Sequence, residues 1–359
     1  MLVLCVLSAC SAAPSQRPVS GQVSPDSATP DASTTSSANP LPSAPPLPAP
    51  VTLVVDTDAA PDDLVAIAFL VAAPSVEIAA ITVTGSGEVR CEAGLRIVLG
   101  LLDRLSAPEI PVACGPETPT AGDHAFPPGF RENAERAAGL DLPDSTREPI
   151  GDAVTLLADA FAEDAAVRLL TLGPLTNVAI ALDADPSLAS RIDSIWIMGG
   201  AVDVPGNVAG SPDVVSDNTA AEWNVYVDPT ALATVLAAGA PVRLVSLDGT
   251  NQVPVRSELA SEVIAARGAT PAFDVLAELF AKNDYMTGGD YYLWDALAAI
   301  FAVGHEPGSF ADAHIEVDTA DGTTSGATRR VDGAPNASYL TEVDPDAAEE
   351  ILLGTLAGS

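Results

Sequence analysis

Asp56, Asp58, Asp62 and Asp63 place four carboxylates within eight residues, directly after the apolar run Val51-Thr52-Leu53-Val54-Val55. Carboxylates at this density repel one another unless a cation neutralises them, and hard oxygen donors of this kind suit Ca²⁺ or Mg²⁺. A local role competes for two of them, because Asp62 and Asp63 open a helical pattern and either could cap it. Capping leaves Asp56 and Asp58 unexplained, since they alternate out of a strand-like run. Three more segments carry polar groups. Gly206-Asn207-Val208 follows a turn, and Glu222-Trp223-Asn224 would present Glu222 and Asn224 on one side of an extended backbone. Trp294-Asp295-Ala296-Leu297-Ala298 puts an aromatic and an acid at the start of an apolar helix. Taken singly, these read as a turn asparagine, a half-buried tryptophan and a helix cap.

The elements that must position these groups can be read from periodicity. Val51–Val55 is short, β-branched and apolar, as a buried parallel strand is, and Leu64 to Leu70 continues as a helix. The acid cluster therefore falls at the carboxyl end of a strand, where open α/β sheets hold their ligands. Strand-like runs recur at 77–83, 167–172, 194–198 and 242–247, separated by Ala/Leu-rich stretches such as 151–163, 174–184 and 229–238. That alternation predicts βαβ units in an open, mainly parallel, mixed sheet with helices on both faces. Each strand ends in a polar or glycine-rich turn, at Gly85-Ser86-Gly87-Glu88, Gly173-Pro174, Gly199-Gly200 and Asp248-Gly249-Thr250-Asn251, and these turns converge on one rim. A strand pair is expected near 315–318 and 328–331, closing a single domain over 51–359.

The first fifty residues differ. Residues 2–10 are apolar and end in small residues, like a secretory segment, and Leu7-Ser8-Ala9-Cys10 looks like a lipobox that would lipidate Cys10. No basic residue precedes the stretch, which leaves an uncleaved apolar tail as the alternative. Residues 11–50 are Ser, Ala, Pro and Thr with hardly an aliphatic cluster, a composition that makes a tether rather than a core. The expected product is an exported lipoprotein on the outer face of a bacterial cytoplasmic membrane, touching the membrane through its anchor only. Lys+Arg 15 against Asp+Glu 49 gives a net charge of −34, a surface that repels nucleic acid and anionic membrane. Of four cysteines, Cys91 and Cys114 lie outside the leader. A bridge and two free thiols are equally open, because sequence does not give their separation.

The polar segments, taken together, resemble the inosine-uridine preferring nucleoside hydrolases. The motif strings are Val-Asp-Thr-Asp-x-x-x-Asp-Asp at 55–63, Leu-Gly-Pro-Leu-Thr-Asn-Val-Ala at 172–179, Ile-Met-Gly-Gly-Ala-Val at 197–202, Glu222-Trp223-Asn224 and Trp294-Asp295-Ala296-Leu297. The likeness runs from about Val51 to Leu352. It implies the nucleoside hydrolase fold and a Ca²⁺ held by Asp58, Asp63, Asp295 and the backbone carbonyl of Leu172, where the family usually has Thr. It implies that the ion binds a water and the ribose 2′- and 3′-hydroxyls, with Asp58 taking the water's proton. Asp62 would bind a ribose hydroxyl, Asn207, Glu222 and Asn224 would hold the rest of the sugar, Met198 would pack beneath it, and Asp56 would orient the cluster. Cleavage of the N-glycosidic bond develops oxocarbenium character that carboxylates stabilise.

Many members of that family carry His immediately before the last metal Asp; this chain has Trp294. That residue and Gly288-Gly289-Asp290-Tyr291-Tyr292 resemble the purine-specific branch, in which aromatic rings sandwich the base. Stacking on a protonated purine contributes about 0.5 to 2 kcal/mol per face. Phe130 is the candidate second face, with an anchor for a surface loop as its alternative, and Glu88 falls near a base-contacting position. Ala60 and Ser86 depart from the usual residues. The expected activity is Ca²⁺-dependent hydrolysis of purine ribonucleosides; the preferred purine and tolerance of deoxyribose are left open, as is a homodimer.

Two other readings compete. Asp-x-Asp at a strand end also opens phosphatases of the haloacid dehalogenase type, but these need a Thr or Val where Ala60 stands and a downstream Lys, and Lys282 is the sole lysine. A catalytically silent nucleoside-binding lipoprotein serving uptake would suit the tether, yet would be free to lose Asp58 and the other carboxylates.

Overall fold

The computed structural model describes residues 43–358 apart from 48, 163–165 and 212–213. The expected secretory segment 1–10 with Cys10, and most of the 11–50 tether, lie outside the described residues. The strands are β1 (Val51–Thr57), β2 (Val76–Val83), β3 (Val112–Cys114), β4 (Val167–Thr171), β5 (Ile192–Met198), β6 (Val242–Val245), β7 (Gly308–Val317), β8 (Thr328–Val331) and β9 (Ala337–Val343). They form one sheet in the order β3-β2-β1-β4-β5-β6-β9-β7-β8. Pairing is parallel from β3 across to β9, and β7 runs antiparallel to both β9 and β8. The predicted mainly parallel, mixed sheet is therefore the observed one.

The chain lays β2 and β3 on one side of β1, then returns to place β4 on the other. The order reverses between β1 and β4, and a crevice at such a reversal is where open α/β sheets bind ligands. Strand side chains alternate between two apolar layers: Leu53 and Val55 join one, and Val54 joins the other. The first layer is built by α1 (Pro61–Ala72), α2 (Cys91–Arg104) and helices of the C-terminal half, and the second by the helices Ala153–Ala160, Thr176–Ala184 and Pro229–Ala237. Leu47 packs against the first layer, ahead of β1. Among the described residues no helix is long and apolar enough to cross a membrane.

Three local expectations change. Asp62 and Asp63 do not cap α1: its N-cap is Ala60, with no side-chain cap, and the two acids occupy its first turn behind Pro61. Pro at that position lacks the N–H that would need a partner, and the acids complement the helix dipole. Glu222-Trp223-Asn224 is not extended. Glu222 is instead the N-cap of α3 (Trp223–Val227), its carboxylate accepting from the backbone N–H groups of Asn224 and Val225. Two strands, β3 and β9, carried too weak a pattern to predict: one is three residues long and the other alternates at the sheet's mixed edge.

Helix Pro128–Ala134 lies between α2 and α3 in the chain and is α-helical despite its short length. The last helix needed below is Trp294–Ala302, which packs on α1 and so carries Asp295 to Asp63.

Candidate active site

The strand β1 ends in Asp56-Thr57-Asp58, and the turn into α1 passes through Ala59 at φ 52°. A non-glycine residue in the left-handed region costs of order 1 kcal/mol, and such strain is usually held where a site needs it. Here the turn is locked by the Ala59 N–H donating to Thr57 Oγ1 at 3.0 Å and the Asp58 N–H donating to Asp63 Oδ1 at 3.1 Å. Thr57 Oγ1 also donates to Asp63 Oδ1. The other oxygen of Asp63, Oδ2, is buried with no hydrogen-bond partner.

Oxygens of Asp62, Asp63 and Asp295 lie within 4.8 Å of one another. Asp63 and Asp295 are buried at 1% and 2% exposure, so water screens their repulsion poorly. Burial first, and the charge of neighbouring carboxylates next, push both well above the usual carboxylate range. Burial also raises Asp62 to about 7 and Asp58 to about 6, the latter opposed by the hydrogen bond from the Glu88 N–H. No cation of the chain pairs with the three converging oxygens among the described residues. An orphaned buried carboxylate oxygen, a hard all-oxygen donor set and unopposed charge together fit a divalent cation such as Ca²⁺.

Asp58 is turned to the edge of this group. Its Oδ2 accepts from the Glu88 N–H at 2.9 Å, and two glycines wall it in. A Cβ on Gly87 would overlap the Asp58 carboxylate, and one on Gly173 would meet the Asp58 Cβ at 2.8 Å. Both glycines are there so that backbone can approach the side chain. Asp56 sits behind, its Oδ1 accepting from Thr82 Oγ1 at 2.5 Å and Asn177 Nδ2 at 2.7 Å, and burial pushes it to about 7. Its hydrogen bonds thus go to Thr82 and Asn177, and its Oδ2 is buried with no partner.

The other expected residues are distributed as follows. Asn224 Nδ2 donates to the Leu172 carbonyl at 2.9 Å and to the Met198 carbonyl at 3.2 Å, joining β4, β5 and α3 in one buried knot. The expected metal-ligand carbonyl of Leu172 is thus engaged by Asn224. Glu222 also accepts from the Gly200 N–H, and burial raises it to about 7. Asn207 Oδ1 accepts from the Trp223 N–H at 3.1 Å. Glu88 is part-buried beside the acids, and burial followed by the charge of Asp58 raises it well above the usual range. Trp294 makes ring contacts with Tyr291 at 4.8 Å and Tyr292 at 5.5 Å, and its Nε1 is buried with no partner. Phe130 is not brought to Trp294; it packs on Trp223 at 5.9 Å, beside Phe126.

Two features were missed in the sequence and a third was left open. Asn177, Asp56's partner, sits inside the Leu-Gly-Pro-Leu-Thr-Asn-Val-Ala string, whose polar residues were the available signal. Cys91 and Cys114 are bridged, settling the open alternative, and the turn at Gly85 packs on Cys91 Sγ. Arg131 donates to the Ser86 carbonyl at 3.0 Å from the helix Pro128–Ala134. No motif marked it. It also lines a cavity of about 740 Å³ together with Phe126, Val208, Trp223 and Tyr226.

A family model described as inosine-uridine preferring nucleoside hydrolase matches residues 53–350. The chain is 31% identical over 325 residues to a pyrimidine-specific ribonucleoside hydrolase RihA of Shigella boydii, covering 85% of this chain and 97% of that protein. Among solved structures, a purine-preferring ribonucleoside hydrolase from Gardnerella vaginalis superposes with a TM-score of 0.75 at 25% identity, over 86% of this chain and 98% of its own. An inosine-uridine preferring nucleoside hydrolase from Bacillus anthracis superposes with a TM-score of 0.72 at 25% identity, over 86% of this chain and all of its own.

Proposed function

The chain belongs to the inosine-uridine preferring nucleoside hydrolase family, and from that premise we propose that it cleaves purine ribonucleosides to free base and ribose, using Ca²⁺ held in the acid cluster. The observation that supports this best is the convergence of Asp62, Asp63 and Asp295 at the strand-order reversal, with buried carboxylate oxygen left over. Asp62, Asp63 and Asp295 would hold the ion, with Asp58 at its edge. A bound Ca²⁺ would neutralise these charges and make a water easier to deprotonate.

Asp58 is the candidate base. Backbone N–H and two glycines fix its carboxylate, and burial keeps its proton affinity near neutrality, as a general base requires. The ionised carboxylates around the sugar would stabilise the positive charge growing on the ribose ring. Asn207, Glu222 and Asn224 would hold the rest of the sugar, and their own hydrogen bonds already fix them. Tyr291, Tyr292 and Trp294 make an aromatic group beside Asp62 and Asp295 that suits a flat base. The secretory segment and tether support an exported enzyme anchored at Cys10.

A second reading, pyrimidine nucleosides as substrate, is favoured by the likeness to the pyrimidine-specific relative. Release of free base from inosine, guanosine, adenosine and uridine, with and without a Ca²⁺ chelator, separates the two. Chelator-sensitive purine release with uridine untouched is expected. Uridine as the sole substrate overturns the purine assignment, and tight nucleoside binding without turnover moves the protein to the role of an uptake receptor.

A further inference from the structure

We propose that Arg131 is a catalytic residue that stabilises the departing base, a role that rests on the nucleoside hydrolase reading and supplies what the missing histidine leaves undone. In a chain of net charge −34, a guanidinium at the mouth of an acidic site stands out. Arg131 is half-buried, its Nη2 donates to the Ser86 carbonyl, and its Nε is buried with no partner. Its charge lies close enough to Asp58 and Glu88 to be felt by both. The same side chain lines the 740 Å³ cavity, whose other walls include Phe126 and Trp223. Arg131 therefore links the carboxylates, which would hold the sugar, to the neighbouring cavity, and a base leaving that sugar would meet its donors.

The fixing of this arginine is structural. Pro128 starts the helix, Arg131 lies in its last turn, and the bond to Ser86 ties the helix to the wall that also supplies the Glu88 N–H to Asp58. With one nitrogen spent on Ser86, Nε and Nη1 are left to donate. Guanidinium is planar and permanently charged, so an N–H not spent on Ser86 can donate to an oxo group or ring nitrogen bearing negative charge.

The step balances as follows. The C1′–N bond breaks and its electron pair stays on the base nitrogen, while a water oxygen bonds to C1′ and its proton passes to Asp58. The base leaves as an anion, its charge spread over the ring nitrogens and oxo oxygen, where Arg131 donates hydrogen bonds without giving up a proton. Solvent then protonates the free base, and Asp58 returns its proton to solvent. No other reactant is needed.

The test compares leaving groups on the full chain with Ca²⁺ present. Inosine and uridine need help to expel their bases, whereas p-nitrophenyl riboside releases an anion already stable in water. Losing a preorganised donor at developing charge typically costs 10²–10³ in rate, so Arg131→Gln and Arg131→Ala are expected to lower kcat/KM at least about 100-fold on whichever nucleosides wild type cleaves. On p-nitrophenyl riboside the same variants should stay within about threefold of wild type, by the same differential argument. Arg131→Lys should recover part of the loss, and inhibition by ribose should be unchanged in all three. An equal loss on both substrate types would mean that Arg131 only braces the Ser86 turn, and no loss would mean that it does not meet the base; either overturns the proposal. Wild type that cleaves neither nucleosides nor p-nitrophenyl riboside removes the underlying activity, and this role with it.

Discussion

Asp58 is held by main chain on three sides, from the Glu88 N–H, Gly87 and Gly173. Because the fit is steric, Gly87→Ala is expected to displace the carboxylate and to lower kcat by at least about 100-fold, the usual scale for a misplaced catalytic base. Steady-state kinetics on a nucleoside, with thermal melting to show that the fold persists, checks this. Asp58→Asn should lower kcat on a similar scale. Asp295→Ala, by contrast, should chiefly weaken Ca²⁺ affinity, read by calorimetric titration, because Asp295 belongs to the converging trio rather than to the edge. The acid cluster was legible in the sequence because its density had no structural explanation, and Asp295 because Trp294-Asp295-Ala296-Leu297 resembles a family motif. Arg131 was not, because a lone arginine in a loop has no pattern, and only the fold shows that its helix reaches Ser86.

The parallel strands at the centre of the sheet were readable because both their faces are buried, so each is an apolar run ending in a turn. Helix Trp294–Ala302 was readable from its apolar length, but its packing on α1, which brings Asp295 to Asp63, is a long-range contact that no local pattern encodes. The extended reading of 222–224 failed because Glu222 spends its carboxylate on capping α3. At this scale the Cys91–Cys114 bridge makes a measurable claim. It ties the start of α2 to the end of β3 across a sequence separation of 23, and a loop of that size is worth about 3 kcal/mol in the chain-entropy account. Reduction, or the double change Cys91→Ala and Cys114→Ala, should therefore lower Tm by several degrees. Since the turn at Gly85 rests on Cys91 Sγ, activity should fall as well. Unchanged Tm and kcat after verified reduction would show that the bridge contributes to neither. Trp294 offers a second test among the elements: Trp294→Ala should lower kcat/KM for inosine by roughly two- to twelvefold, since an aromatic face stacked on the base contributes about 0.5 to 1.5 kcal/mol. A matching loss on p-nitrophenyl riboside would place Trp294 in the support of Asp295 instead.

Across the whole molecule the buried acids set a relation between pH, cation and stability. Burial raises Asp56 and Asp62 to about 7 and holds Asp63 and Asp295 well above the usual carboxylate range, whereas the same groups in an unfolded chain titrate near 3.9. The cation-free folded chain therefore binds more protons than the unfolded chain between about pH 4 and pH 7. Its stability is fully present below the unfolded value and falls as pH rises through the folded values. The acidic surface adds to this, since a net charge of −34 repels itself more strongly as further carboxylates ionise. A divalent cation in the trio reverses the local part of the loss by binding the ionised folded state alone, a linkage that grows with cation concentration over Kd. Protons and cation compete for the same oxygens, so the rise in Tm on adding Ca²⁺ should be small at pH 5 and large at pH 8, at constant ionic strength. Mg²⁺ at the same concentration controls for screening of the surface charge. If Ca²⁺ raises Tm equally at both pH values, or no more than Mg²⁺ does, the buried carboxylates are not its binding site and the surface carries the effect. If the shift appears at pH 8 and is lost in Asp63→Asn, the trio is the site and the charge of the interior, not of the surface, governs how this protein responds to the ion.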